Sequence, residues 1–318
     1  MVYAGIDLGG TNIAVGIVNE SGKILSQCST PTRPERPYQE VAQDMIVCIE
    51  KALRQAGCTV ESLHSIGIGI PGIADAKTGR IIFCTNLGWR DIPLREELQK
   101  SINKPVFIDN DATVAGYAES VSGVSRGCDT SVFLTLGTGV GAGIIFNGRP
   151  WNGAHGVGGE IGHMTLAVNG VPCTCGNNGC VERYCSATAI IRMARQSCMA
   201  YPDSAILKKA GSIDDIDAKA VIDAAKEGDK IALRIFHRYC DFLAMAINNI
   251  TAMLDPEMIV LGGGVSRAGT FLTDTVKEYT PRYLMYKTMP SPKIEIAQLG
   301  NEAGIIGAGL LGLLVKKQ

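Results

Sequence analysis

Neither sign of charge prevails in this chain. Thirty lysines and arginines meet 31 aspartates and glutamates, for a formal net charge of −1. Without a basic stripe, neither nucleic acid nor an anionic membrane is expected as a main partner. The amino terminus, Met-Val-Tyr-Ala-Gly-Ile-Asp, has no basic stretch, apolar run or small-residue cleavage site, so no secretory signal is expected. No apolar run reaches the roughly 18 residues that span a bilayer, and the nearest, residues 305–315, is broken by glycine. The Gly-Lys-Ser/Thr of a P-loop is missing as well. Cysteine is present, 11 in all, but the number is odd and has no secreted-scaffold rhythm, which points to reduced thiols in a cytoplasm.

What remains is ample. Apolar residues make up 46% of 318 and charged ones 19%, enough to fill the cores of one large domain or two. The 38 glycines exceed the usual share of roughly 7% and suggest tight turns and close backbone approaches to a ligand.

Residues 2–7 and 12–18 read as strands joined by Leu-Gly-Gly-Thr, a hairpin. Apolar residues at 41, 45, 46, 49, 52, 53 and 56 have helical spacing, with Gly57 as a stop. Residues 65–70 and 105–108 read as buried strands and 111–122 as a helix. The opening pattern then returns, with strands at 130–136 and 142–146 around Gly-Thr-Gly-Val-Gly. An apolar helix at 241–254 stops at Pro256 and leads to a strand at 258–261. Two α/β halves, each opened by a glycine-turned hairpin, imply a duplicated fold with a cleft, divided near residue 115. Residues 30–37, with three prolines, read as an exposed bend.

Three glycine loops suit anions. Gly9, Gly10 and Thr11 bring backbone N–H groups and a hydroxyl together, and Asp7 at the strand end suits Mg2+. Gly137, Thr138 and Gly139 form the second turn. A dinucleotide fingerprint does not apply there, because a strand rather than a helix follows. Gly262, Gly263 and Gly264 form the third. Together they favour a nucleotide held across a cleft.

Asp111 follows a strand's carboxyl end, where it caps the next helix or serves as a base when a phosphoryl group meets a hydroxyl. Asn110 beside it suits neighbouring hydroxyls, and Asn86 and Trp89 sit in a loop compatible with a polyol pocket. His163 with Cys173, Cys175 and Cys180 supplies one nitrogen and three sulfurs, a closed tetrahedral set for structural Zn2+. Cys185 is the alternative fourth ligand, and a disulfide or redox switch the alternative use of the cluster. The other cysteines read as small apolar residues, and His64, His155 and His237 as packing or surface residues.

These motifs, DLGGT at 7–11, NDA at 110–112, LGTGVG at 136–141, GEIGH at 159–163, CxCGxxGCxE at 173–182 and LGGGVS at 261–266, resemble those of the ROK sugar kinases, and of their bacterial glucokinase branch in particular. The resemblance covers nearly the whole chain. It implies the two-lobed actin-like ATPase fold (ribonuclease H-like), one lobe from residues 1–115 with 302–318 and the other from 116–301 with the zinc site. It implies ATP-dependent phosphorylation of glucose at the 6-hydroxyl, with Asp111 as general base. Asn86, Asn110, Glu160, His163 and Glu182 would contact the sugar, and His163 would also serve the zinc. The turns at 9–11 and 137–139 would hold phosphates, with residues 262–264 along the adenosine. Kinases for N-acetylmannosamine, N-acetylglucosamine, mannose or fructose, polyphosphate as donor, and a sugar sensor without turnover are the alternatives. A homodimer is the implied assembly. Thr113 departs from the asparagine common in the family, and a first strand at residue 2 leaves no room for the DNA-binding domain of the repressor branch.

Overall fold

Alternation of branched residues with small ones in the first strands gives each a helix-facing side on both sides of a sheet. The computed structural model describes residues 1–316. The first sheet comprises β1 (Val2–Leu8), β2 (Asn12–Asn19), β3 (Ile24–Pro31), β4 (Leu63–Ile70) and β8 (Val106–Asn110), in the order β3-β2-β1-β4-β8. Ala4, Ile6 and Leu8 share a core with Met45, Ile49 and Leu53 of α1 (Tyr38–Gln55). Tyr3, one step out of phase, joins the core on the other face. A small sheet of β5 (Ile73–Asp75), β6 (Arg80–Cys84) and β7 (Trp89–Ile92), followed by α2 (Leu94–Gln99), is inserted between β4 and β8.

After α3 (Asp111–Ser122), a second sheet repeats the scheme. It comprises β9 (Thr130–Leu136), β10 (Val140–Phe146), β11 (Arg149–Pro150), β12 (Met258–Gly262) and β13 (Lys293–Ile296), in the order β11-β10-β9-β12-β13. Ranked by position in the chain, both sheets run third, second, first, fourth, fifth. In each, the fourth and fifth strands are parallel, β4 with β8 and β12 with β13. The repeated hairpins expected from the glycine turns are thus two copies of one topology.

Between β11 and β12 lie α4 (Glu182–Cys185), α5 (Ala187–Ala200), α6 (Ala205–Ala210), α7 (Ala218–Lys226) and α8 (Lys230–Leu254); α9 (Thr270–Tyr279) follows β12. The helix expected at 241–254 begins earlier, at Lys230, because Asp229 caps it by accepting from the N–H groups of Ile231 and Ala232. The chain ends in α10 (Ala303–Leu310) and α11 (Leu313–Lys316). The glycines of α10 allow backbone-to-backbone packing: a Cβ at Gly307 would overlap the Val114 carbonyl, and one at Gly5 the Ile305 carbonyl. This close approach compensates the poor helix propensity of the segment. Among the described residues, no helix is long and apolar enough to cross a membrane.

The chain forms two compact units, one of Met1–Phe133, Gly143–Gly159 and Gln298–Gln318, the other of Leu134–Ala142 and Glu160–Ala297. The carboxy-terminal segment is grouped with the first unit, and residues 317 and 318 lie outside the described residues. The first unit extends beyond residue 115 because α3 packs on α10 and β4.

Two local expectations differ. Residues 30–37 are not simply an exposed bend. Thr30 and Pro31 pair with β2, and Thr32 is fully buried, its N–H donating to the Thr11 carbonyl and its hydroxyl to the Gly9 carbonyl at 2.7 Å. Trp89 is core rather than pocket-lining, packed edge-on to Tyr38.

Candidate active site

Parallel pairing arranges the acids of the first unit. Asp7 pairs with Gly69, and Gly69 with Asp109, so the two carboxylates stand in one row on β1 and β8, about 10 Å apart across β4. Asp7 is half-buried, and no hydrogen bond or ion pair from the described residues reaches its carboxylate. Burial alone pushes its pKa up from the ordinary aspartate value. A lone, partly desolvated carboxylate beside the turn at Gly9, Gly10 and Thr11 fits a hard cation such as Mg2+. Thr32 clamps that turn from behind, and Asn86, exposed in a short 3-10 turn, packs against Gly10.

Asp111 is the first residue of α3, and the cap is Asn110. The Asn110 Oδ1 accepts from the N–H groups of Ala112 at 2.9 Å and Thr113 at 3.2 Å. The capping alternative for Asp111 is thereby corrected, although its Oδ1 also accepts from Ala112. Asn110 Nδ2 donates to the Gly72 carbonyl at 3.3 Å, so one amide hydrogen remains for a ligand. Asp109 had no assigned role in the sequence. Burial raises its pKa, against the opposing effect of hydrogen bonds from Asn152 and the Asn110 N–H. Asn152 Nδ2 lies 2.8 and 2.9 Å from its two oxygens, and Thr113 Oγ1 makes a long 3.5 Å contact with Asn152 Oδ1. Asp109 thus ties the Asn110–Asp111 corner to the loop after β11. Its position in Ile-Asp-Asn-Asp was the available signal; Asn152, 43 residues away, had none.

In the second unit, the carbonyls of the turn at 137–139 are held from one side. Gly137 O accepts from the Ala187 N–H at 2.8 Å and Thr138 O from the Thr188 hydroxyl at 2.7 Å. In planar trans peptides the N–H groups of Thr138 and Gly139 then point the opposite way, as an anion site requires. Glu182 Oε2 accepts from the Val140 N–H at 3.1 Å and lies so close to Gly139 that a Cβ there would overlap it. Gly263 closes against the backbone of Leu136 with a positive φ of 80°, between Gly262 at the end of β12 and the turn starting at Gly264. The third glycine loop therefore packs on the strand that carries the second.

His163 ends a 3-10 turn that follows Glu160, which is exposed. Its Nδ1 lies 3.7 Å from Cys173 Sγ, and Cys175 Sγ lies 3.6 Å from Cys180 Sγ. The four ligand atoms all lie within 4.8 Å of one another, and a tetrahedral zinc with Zn–S of about 2.3 Å needs sulfurs about 3.8 Å apart. Backbone N–H donation from Asn177 lowers the Cys175 thiol's pKa, whereas burial and the neighbouring thiols push that of Cys180 up to about 12. Donor set and spacing fit zinc. Cys185 is completely buried at the end of α4 and stands outside this cluster, so His163 is the fourth member.

Two sheets of one topology, each opened by a glycine turn, define an α/β fold of the sugar-kinase class, consistent with the actin-like ATPases. The chain belongs to the ROK family, whose model matches residues 3–315. It is 36% identical over 317 residues to a glucokinase of Halalkalibacterium halodurans, covering 99% of this chain and 95% of that one. A Thermotoga maritima glucokinase is 39% identical over 305 residues, with 96% and 95% covered. Among solved structures, the ROK glucokinase of Streptomyces griseus in complex with glucose and AMPPNP superposes with a TM-score of 0.83 at 33% identity, covering 98% and 99% of the two chains.

Proposed function

We infer that this protein transfers the γ-phosphoryl group of ATP to the 6-hydroxyl of glucose. The likeness to glucokinases over nearly the full chain carries this reading. Asp111 at the start of α3 gives it a chemical basis.

In the proposed reaction, Asp111 accepts the proton of the sugar 6-hydroxyl as that oxygen bonds to the γ-phosphorus and the bond to the β-phosphate oxygen breaks. The N–H groups of Thr138 and Gly139, with the turn at 9–11, receive phosphate oxygens, and residues 262–264 lie along the adenosine. Mg2+ would supply charge neutralisation on the phosphates, with Asp7 as its protein anchor. Asn86, Asn110, Glu160, Glu182 and the His163 Nε2 would hold sugar hydroxyls, while Nδ1 faces the metal set. Zinc on His163, Cys173, Cys175 and Cys180 would have no open coordination position, so its role is to fix the loop leading into Glu182. The actin-like two-lobed fold, a reducing cytoplasm for the 11 free cysteines and a homodimer complete the proposal.

ADP release from Mg-ATP is the test, with glucose, mannose, fructose, N-acetylglucosamine and N-acetylmannosamine in parallel. The expected result is the highest kcat/KM for glucose. A higher value for another sugar would keep the mechanism and overturn the substrate; binding without turnover would overturn both.

A further inference from the structure

In the second unit, α4, α5 and α8 enclose a groove of about 620 Å3 that no part of the phosphotransfer chemistry uses. Arg192 of α5 and Arg234 and Arg238 of α8 line it, and Arg183 of α4 lies close enough to depress the pKa of Arg192 further, beyond the effect of burial. Among the described residues, none of Arg192, Arg234 and Arg238 has a carboxylate within ion-pair distance. The sequence explains why. α5 contains no acid, and the one acid of α8, Asp241, accepts from the Tyr283 hydroxyl and faces Arg282.

Arg234 and Arg238 stand one turn apart on the same helix face, a like-charge spacing that weakens a helix unless an anion lies between. Aromatic rings hold the guanidinium groups in place: Arg192 over Tyr184 at 6.0 Å, Arg234 over Tyr201 at 5.2 Å, Arg238 over Phe242 at 5.6 Å. Arg192 donates one N–H to the Arg183 carbonyl at 2.8 Å, and among the described residues no hydrogen bond uses the N–H groups of Arg234 and Arg238, which remain for bidentate contact with phosphate oxygens. The buried Arg183 Nε has no hydrogen-bond partner. The volume suits a small metabolite.

We propose that this groove binds a small multiply charged phosphate compound at a site separate from the phosphate turns. The test is calorimetric titration of the zinc-loaded chain with AMPPNP in excess. The probes are inorganic tripolyphosphate and fructose 1,6-bisphosphate, to separate a bare polyanion from a ring-bearing one. A prior titration with AMPPNP alone reports on the turns, so failure of the kinase reading and failure of this one are distinguishable. The comparison variant is Arg234→Ala with Arg238→Ala; both positions are exposed, and its melting temperature and glucose turnover should match wild type without probe. The expected result is saturable one-to-one binding of at least one probe, weakened tenfold or more in the variant. No saturable binding of either probe, or equal binding to the variant, overturns the site. So does a wild-type dimer that becomes monomeric in the variant and binds neither probe, since a second copy would then be the occupant.

Discussion

Asp111 is the residue on which turnover should depend most. Asp111→Ala should lower kcat about 10²–10⁴-fold, the usual worth of a positioned general base, with a melting temperature near wild type because Asn110 supplies the cap. Wild-type ADP release by that variant would remove Asp111 from the mechanism. Asp7 makes a prediction with a pH sign. Its raised pKa means the folded chain holds that proton more tightly than the unfolded one, so the acid's contribution to stability is lost as pH rises through the raised range. Asp7→Asn should therefore melt higher than wild type at pH 7, without ligands or metal, and show no advantage below about pH 3. Residue types at turns and strand ends were readable because few side chains suit an anion, a cation or a proton. Asp109 with Asn152, Thr32 and Trp89 were not. Each is defined by what tertiary pairing brings to it, a carboxylate, a turn carbonyl or a ring, and none of those partners has a fixed spacing along the chain.

At the scale of elements, the loop carrying His163, Cys173, Cys175 and Cys180 and the packing of α10 each carry a test. Zinc analysis should find one ion per chain, and Cys175→Ser should lose it and lower the melting temperature; full retention of zinc would overturn the ligand set. Gly307→Ala tests the helix packing, since the added methyl meets the Val114 carbonyl, which cannot turn aside. Overpacking of this kind costs about 1–3 kcal/mol, measurable by denaturant unfolding. Strands and helices followed their periodicities closely: α3 and β9 begin and end where the apolar pattern places them. The early start of α8 is set by Asp229, its cap, which lies well upstream of the apolar stretch at 241–254. Cys28 and Cys48, read separately as small apolar residues, meet at 3.3 Å between β3 and α1, a neighbourhood made by pairing rather than by spacing.

For the molecule as a whole, repetition of the glycine-turned hairpin was enough to anticipate duplication, and the matching strand orders show how far it goes. The limits of the two units were less legible, because they follow from packing of α3 and the return of the last helix rather than from any change in composition. Nucleotide binding should stabilise the chain by about 2.7 kcal/mol at 100 times its dissociation constant, read as a rise in melting temperature; no rise at any AMPPNP concentration would contradict nucleotide binding.

The packing of α10 on β1 also sets a schedule for biosynthesis. A ribosome delivers Gly5 long before Ile305, yet these residues touch. Leu134–Ala142 and Glu160–Ala297 have all been synthesised before α10 exists, whereas the first sheet must wait with part of one face uncovered until α10 has been made. A chain stopped at residue 302 should consequently aggregate as it is made, and supplying residues 303–318 as a separate peptide should rescue part of it.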